Sequence, residues 1–167
     1  MAPQELERTA QRSVLDRLID TDPDMNTEPA MTWAQSVREF KRAVRRDLEW
    51  LLNTRKIVEP APDGFPELQH SLYHYGLPDI TSLAAESVSA RDWLRRQVEE
   101  AITLFEPRLA GVRVTVATVD EEGRRELRFI IDGLLRMEPS PEQVVFDTVL
   151  EVASATFEVR GEGANAR

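Results

Sequence analysis

The sequence predicts an α+β fold in which N-terminal helices pack on one face of a C-terminal, mainly antiparallel four-stranded sheet. Three observations carry that prediction. Val37, Phe40, Val44, Leu48, Leu51 and Leu52, and later Leu94, Val98, Ala101, Ile102 and Phe105, recur at the spacing of one buried helical face. From Val112 the period shortens, with Val112, Val114 and Val116 alternating with Arg113 and Thr115 as in a half-buried strand. The helical patterns come first and the strand patterns follow, the order of an α+β chain with its helices on one sheet face.

Taken in order, Leu6, Ala10, Val14 and Leu18 fall at four-residue steps beside Leu15 and Ile19, which predicts a short helix ended by Thr21-Asp22-Pro23-Asp24. The run to Thr32 has prolines, acids and no periodicity, so an extended, mobile loop is expected. The longest helix follows, with Trp33 near its start and Trp50 near its end. Three prolines and a glycine between Glu59 and Pro66 forbid helix or central strand there, and Gly76 and Pro78 turn the aromatic run that follows. Ser89, with Asp92 three residues on, reads as the capping box of the next helix, which runs to about Glu106. Residues 112–119 and 127–135 then form a hairpin around Asp120 to Gly123, and residues 144–152 and 156–160 give two more strands after the break at Pro139-Ser140-Pro141. The organisation expected is one domain over residues 33–160, preceded by a helix and mobile loop over 1–32 and followed by a disordered tail over 161–167.

Composition narrows the function. Of 167 residues, 41% are hydrophobic, enough for a substantial core, and the balance of 21 basic to 30 acidic residues argues against a general polyanion binder unless the bases cluster. They do cluster once. Arg38, Lys41, Arg42, Arg45 and Arg46 line one side of the longest helix, either as a solvated face paired with Glu39, Asp47 and Glu49 or as a surface for an acidic protein. Aromatic residues and glycine-rich loops are not interleaved with these bases, so nucleic acid is not the expected partner. The absence of cysteine excludes disulfides and thiolate zinc sites and suits a reducing cytoplasm. The N-terminus is neither basic nor followed by an apolar block, and no apolar run approaches the roughly 20 residues of a membrane span, so an unexported protein without membrane insertion is expected. His70 and His74 sit four apart, as helical metal ligands can, but no third ligand joins them at convincing spacing and no cofactor is expected.

The residues that draw most attention are Glu106, Pro107 and Arg108. Pro107 stops the helix and pushes Glu106 out of the α region, so two opposite charges flank a rigid turn. One reading is a solvated helix end with an ordinary local ion pair, which contributes only about 0 to 1 kcal/mol. The other is a turn that presents an acid and an arginine fork to a partner. A hydrolase reading would make Glu106 a general acid beside a second carboxylate, with Asp79, Asp47 and Asp132 as candidates; none is tied to Glu106 by spacing, and an arginine two residues away opposes that role. An antiparallel sheet also has two edges, whose unpaired amides and carbonyls are either protected or used to pair with another chain.

Five stretches in order, SVLDRL (Ser13 to Leu18), RDLEWLLNTR (Arg46 to Arg55), YGLPD (Tyr75 to Asp79), FEPRL (Phe105 to Leu109) and VVFDTVLEV (Val144 to Val152), resemble the type VI secretion baseplate subunit family TssE. That group belongs to the contractile-phage-tail baseplate wedge proteins, historically called lysozyme-like. The resemblance extends from about Ser13 to Val159 and implies a non-enzymatic subunit of a cytoplasmic baseplate docked at the inner face of the membrane. It would join TssF/TssG-type wedge subunits around the spike and inner tube and start the contractile sheath. The family's Glu-Pro-Arg turn carries over to Glu106, Pro107 and Arg108 as wedge-contacting residues, and likeness to sheath subunits implies strand pairing at a sheet edge. The alternative kept beside it is a murein hydrolase using Glu106. Alanine at Glu106 or Arg108 is then expected to abolish wedge association and leave the domain folded. A fold that buried the whole corner, with every charge matched inside the chain, would undercut the docking reading.

Overall fold

The computed structural model describes residue 10 and residues 13–19, 23–24, 31–81, 87–121 and 124–162. Its elements are α1 (Val14–Leu18), α2 (Trp33–Asn53), two 3-10 turns (Pro66–His70 and Leu72–His74), α3 (Val88–Phe105), β1 (Leu109–Glu121), β2 (Arg124–Leu135), β3 (Glu142–Glu151) and β4 (Thr156–Glu162). The strands form one sheet in the order β1-β2-β3-β4, and each neighbour pair is antiparallel. This is the α+β arrangement expected from the two periods. Strand β4 continues through Gly161 to Glu162, two residues into the segment expected to be tail. The tip of the first hairpin, Glu122 and Gly123, lies outside the described residues, as do Leu6 and most of the loop before Thr32.

Register explains the core. Val114 pairs with Ile131, Ile131 with Phe146, Leu127 with Leu150 and Leu150 with Phe157, so every second residue of each strand points to the same face. On that face Phe129, Ile131, Leu150 and Phe157 are buried against Phe40, Val44, Leu48, Leu51 and Leu52 of α2 and Leu94, Val98 and Ile102 of α3. The other face carries Arg128 bound through both nitrogens to Asp147 (2.7 and 2.5 Å), and Gln143 donating to Asp132. Helix α2 starts where Thr32 and Gln35 form a reciprocal capping box, a signal the Thr-x-x-Gln spacing carries. Ser87, not Ser89, stands at the N-cap position of α3, and its hydroxyl meets that of Ser89 at 2.8 Å instead of a cap amide; Ser89 lies inside the helix, and Asp92 binds Arg95 and Arg96.

The first helix differs from its expected packing. Among the described residues of this segment five are helical, and Val14 and Leu18 of the four-residue repeat are solvent-exposed, as are Leu15 and Ile19. Ala10 alone of that stripe is buried among the described residues, its N–H donating to Ser36 Oγ at 3.1 Å. Polar anchors, not an apolar stripe, set the rotation of this segment: Ser13 caps the helix and Asp16 binds Arg46 at 2.8 Å.

The glycine in the Tyr75 to Asp79 stretch is fixed by geometry. Gly76 has φ +102, where L side chains rarely sit, and its neighbour Leu77 donates to Thr54 O at 2.8 Å while accepting from Lys56 N at 2.9 Å. This short parallel bridge pins the loop to the C-terminal end of α2 and seats Tyr75 edge-on against Phe105, ring centroids 5.2 Å apart.

Candidate functional site

Helix α3 ends as its sequence dictates. Glu106 N–H closes the last turn on Ile102 O at 2.9 Å, Pro107 offers no amide, and Leu109 N–H returns to Glu106 O at 3.1 Å. Arg108 O then accepts from Arg136 N at 2.7 Å beside the first pair of the β1-β2 ladder. The corner is therefore held by backbone bonds on both sides.

Its side chains turn inward. Glu106 is 3% exposed, and its carboxylate accepts from Arg108 Nε at 2.6 Å, from Arg108 N–H at 3.2 Å and from Arg108 Nη2. The same Nη2 donates to Asp47 Oδ2 at 2.6 Å. Asp47 Oδ1 in turn accepts from Arg46 Nε at 2.9 Å, and Arg46 Nη2 reaches Asp16 Oδ1 at 2.8 Å. The chain Asp16, Arg46, Asp47, Arg108, Glu106 alternates in sign from end to end. Arg46 also lies 4.8 Å from the Trp50 ring centroid and Arg108 5.9 Å from that of Phe40.

Burial acts to lower the Arg108 pKa, but the hydrogen bonds and charges of Glu106 and Asp47 outweigh it, so the guanidinium is held more firmly protonated than a free arginine. Burial likewise pushes the Tyr75 hydroxyl up, aided by the charges of Asp47 and Glu106. Desolvation acts to raise the Asp16 pKa; hydrogen bonds from Ser13 and Arg46 more than reverse it and hold the carboxyl below its usual range. Because the folded value is depressed, the stabilisation Asp16 contributes is full above its unfolded pKa of about 4 and is lost as pH falls through the folded value. Acidification below about pH 4 should therefore release the Ser13 to Leu18 segment before the core melts. NMR signals of this segment will report it, and Asp16→Asn should show the same release at neutral pH, at a cost of about 1 kcal/mol.

The corner expected to project an acid and an arginine fork is thus mostly inward. Pro107 is exposed, Arg108 keeps 20% of its side-chain surface, and Arg108 Nη1 is a buried donor without a hydrogen-bond partner among the described residues. The solvated ion pair is equally replaced by a half-buried network. Sequence spacing did not assign Asp16, Arg46 and Asp47 to this site. Asp47 was legible in part: it follows Phe40 by seven residues and Val44 by three, which places it at the margin of the buried stripe.

Four of the five stretches named above converge here. Asp16 comes from the first, Arg46 and Asp47 from the second, Tyr75 from the third, Glu106 and Arg108 from the fourth. For a hydrolase the geometry is unfavourable, because both oxygens of Glu106 are engaged by Arg108 and the nearest second carboxylate, Asp47, shares that arginine. Asp79 accepts from Thr81, and Asp132 lies on the far sheet face. His70 and His74 fall in two separate 3-10 turns, not on one helical face, and among the described residues no group of three or more His, Cys, Asp and Glu could hold a metal ion. No helix among the described residues is long and apolar enough to cross a membrane.

The sheet edges are β1 and β4. At β1, Val114 N–H donates to Glu99 Oε2 at 3.0 Å. At β4, the Asn53 side chain imitates a neighbouring strand: its Nδ2 donates to Phe157 O at 2.8 Å and its Oδ1 accepts from Phe157 N at 2.9 Å. Arg55 Nη2 donates to Ala155 O at 2.6 Å. Val159, two residues on, turns its N–H and C=O the same way as Phe157, and no side chain among the described residues closes it.

A half-buried charged corner tied through several elements, beside a sheet whose edges are only partly covered, describes a domain with backbone left for other polypeptides to pair with. The chain belongs to the baseplate wedge protein gp25 family, whose model matches residues 38–140, and its role is structural, in a phage-tail-like baseplate with other baseplate subunits. The matched span includes α2, α3, β1 and β2, and with them Arg46, Asp47, Glu106 and Arg108. A search of curated proteins found no match.

Proposed function

We propose that this chain is the TssE-type subunit of a type VI secretion baseplate, a non-enzymatic scaffold acting in the cytoplasm at the inner face of the membrane. It joins TssF/TssG-type wedge subunits near the spike and inner tube and starts the contractile sheath. The convergence of three separated stretches on one charged network, with Tyr75 of a fourth packed against Phe105 beside it, is the observation that carries this reading. Within it Glu106 is the positioning residue, while exposed Pro107 and the outer rim of Arg108 are the wedge-contacting surface. The wedge would meet the exposed ring of Pro107 and the fifth of the Arg108 side chain that keeps solvent access (20%), while Arg108 Nη1 stays buried behind them.

The edge of β4 supports the sheath role. Proline at Val159 removes an outward-facing donor but also alters a core side chain that is 3% exposed, so Val159→Pro is compared below its own melting temperature, where it should keep wedge association and lose sheath initiation. Co-purification with the wedge subunits, followed by electron microscopy of the baseplates, will measure both. Full-length sheaths on Val159→Pro baseplates would overturn the edge reading, and a wild-type chain that does not co-purify with wedge subunits would overturn the whole assignment.

A further inference from the structure

The basic stripe of α2 is divided by the fold. Arg46 is drawn into the corner, Arg42 pairs with Glu39 at 3.2 Å and Lys41 with Glu142 at 2.7 Å. Arg38 and Arg45 are exposed and have no hydrogen-bond or ion-pair partner among the described residues. In a chain of net charge −9, two such arginines on one helix face are out of keeping with a surface that only needs solubility. They border a groove of about 220 Å³, lined by Arg38, Lys41, Arg42 and Arg45 on the helix side and by Phe146 and Gly161 on the sheet side. Gly161 lies on β4 and presents no side chain that would obstruct the groove. Asn53 closes the edge at Phe157, so the open part of β4 begins at Val159 and runs toward this groove.

We propose that the groove receives an extended segment of another polypeptide with carboxylates at alternate positions. The inference rests on the sheet-edge reading above and adds to it the chemistry of the segment. A strand laid beside Val159 points every second side chain to the helix-covered face, where α2 presents its arginines. Guanidinium forks recognise carboxylates in two-bonded geometry, and a period-two acidic pattern matches a strand where a helical pattern would not. The ring of Phe146 is buried and gives bases no platform for stacking, which separates this groove from a single-strand nucleic-acid channel.

The test uses isotope-labelled full-length protein and short capped peptides of alternating valine and glutamate, with the glutamine version as control. The glutamate peptide should shift the Val159 and Gly161 amide signals, and the glutamine peptide should bind about tenfold more weakly at low salt. Arg38→Glu combined with Arg45→Glu should remove that preference and leave the melting temperature unchanged. Equal binding of the two peptides by the wild type would overturn the proposal, as would equally tight binding of single-stranded DNA at the same signals. Should Val159→Pro lose both peptides while the double reversal keeps the glutamate preference, the edge reading stands and the acidic inference falls. Should the reversal remove the preference while Val159→Pro binds normally, the acidic site stands and the edge reading falls.

Discussion

Replacing Arg108 by alanine should destabilise the folded chain by on the order of 3 to 5 kcal/mol, because it leaves the buried Glu106 carboxylate without its counter-charge. In a chain of this size that corresponds to a loss of about 10 °C in Tm. The structure thus revises the expectation that alanine at Glu106 or Arg108 would spare the isolated domain: the corner belongs to the fold as well as to the surface. The asymmetry of buried pairs supplies the decisive control. Removing one partner strands a charge, whereas replacing both with apolar side chains of similar volume strands none. Glu106→Leu with Arg108→Met should therefore recover more than half of the lost stability. Wedge association should remain lost in the double variant, since the arginine rim is gone. Thermal melts and co-purification with wedge subunits, run side by side, separate the two roles; a double variant as unstable as Arg108→Ala would show that the pair is not the source of the cost.

Gly76→Ala should be comparably damaging although it touches no charge. An added Cβ would overlap Thr54 O and lie 2.8 Å from Thr54 C, both backbone atoms that cannot swing aside, and the φ of +102 is itself strained for alanine. Relief requires breaking the Leu77 to Thr54 hydrogen bond, so the cost is on the order of 3 kcal/mol, read as a lower midpoint in urea with little change in slope. Moving this loop also withdraws Tyr75 from Phe105, so wedge association should weaken together with stability. A midpoint within error of wild type would mean that the bridge at Arg55 and Leu77 is not structurally required.

The sheet was legible because each strand repeats its demand locally. Alternation in Val112 to Val116 and again after Leu127 needs no knowledge of the partner strand, and the observed strands exceed the expected ones by only a few residues at their ends. The charged network was illegible for the opposite reason. Asp47 and Arg108 are 61 residues apart, and nothing in either neighbourhood states that the two will meet. Arg46 was read with the basic stripe because helical spacing places it there; the fold assigns it to the corner because Asp16 and Asp47 lie to either side. The first helix shows the limit of periodicity in a short segment. Its apolar positions repeat correctly, but two polar anchors outweigh them and turn the stripe to solvent.

The two flanks of the sheet are not equivalent, and that gives the molecule a direction. Glu99 places a carboxylate on the β1 side, where it would repel an acidic newcomer, and Asn53 stops only the first rung of the β4 side. An acidic strand is consequently turned away from β1 at Val114 and admitted at β4 beyond Phe157, where pairing starts at a register that a single amide side chain has already chosen.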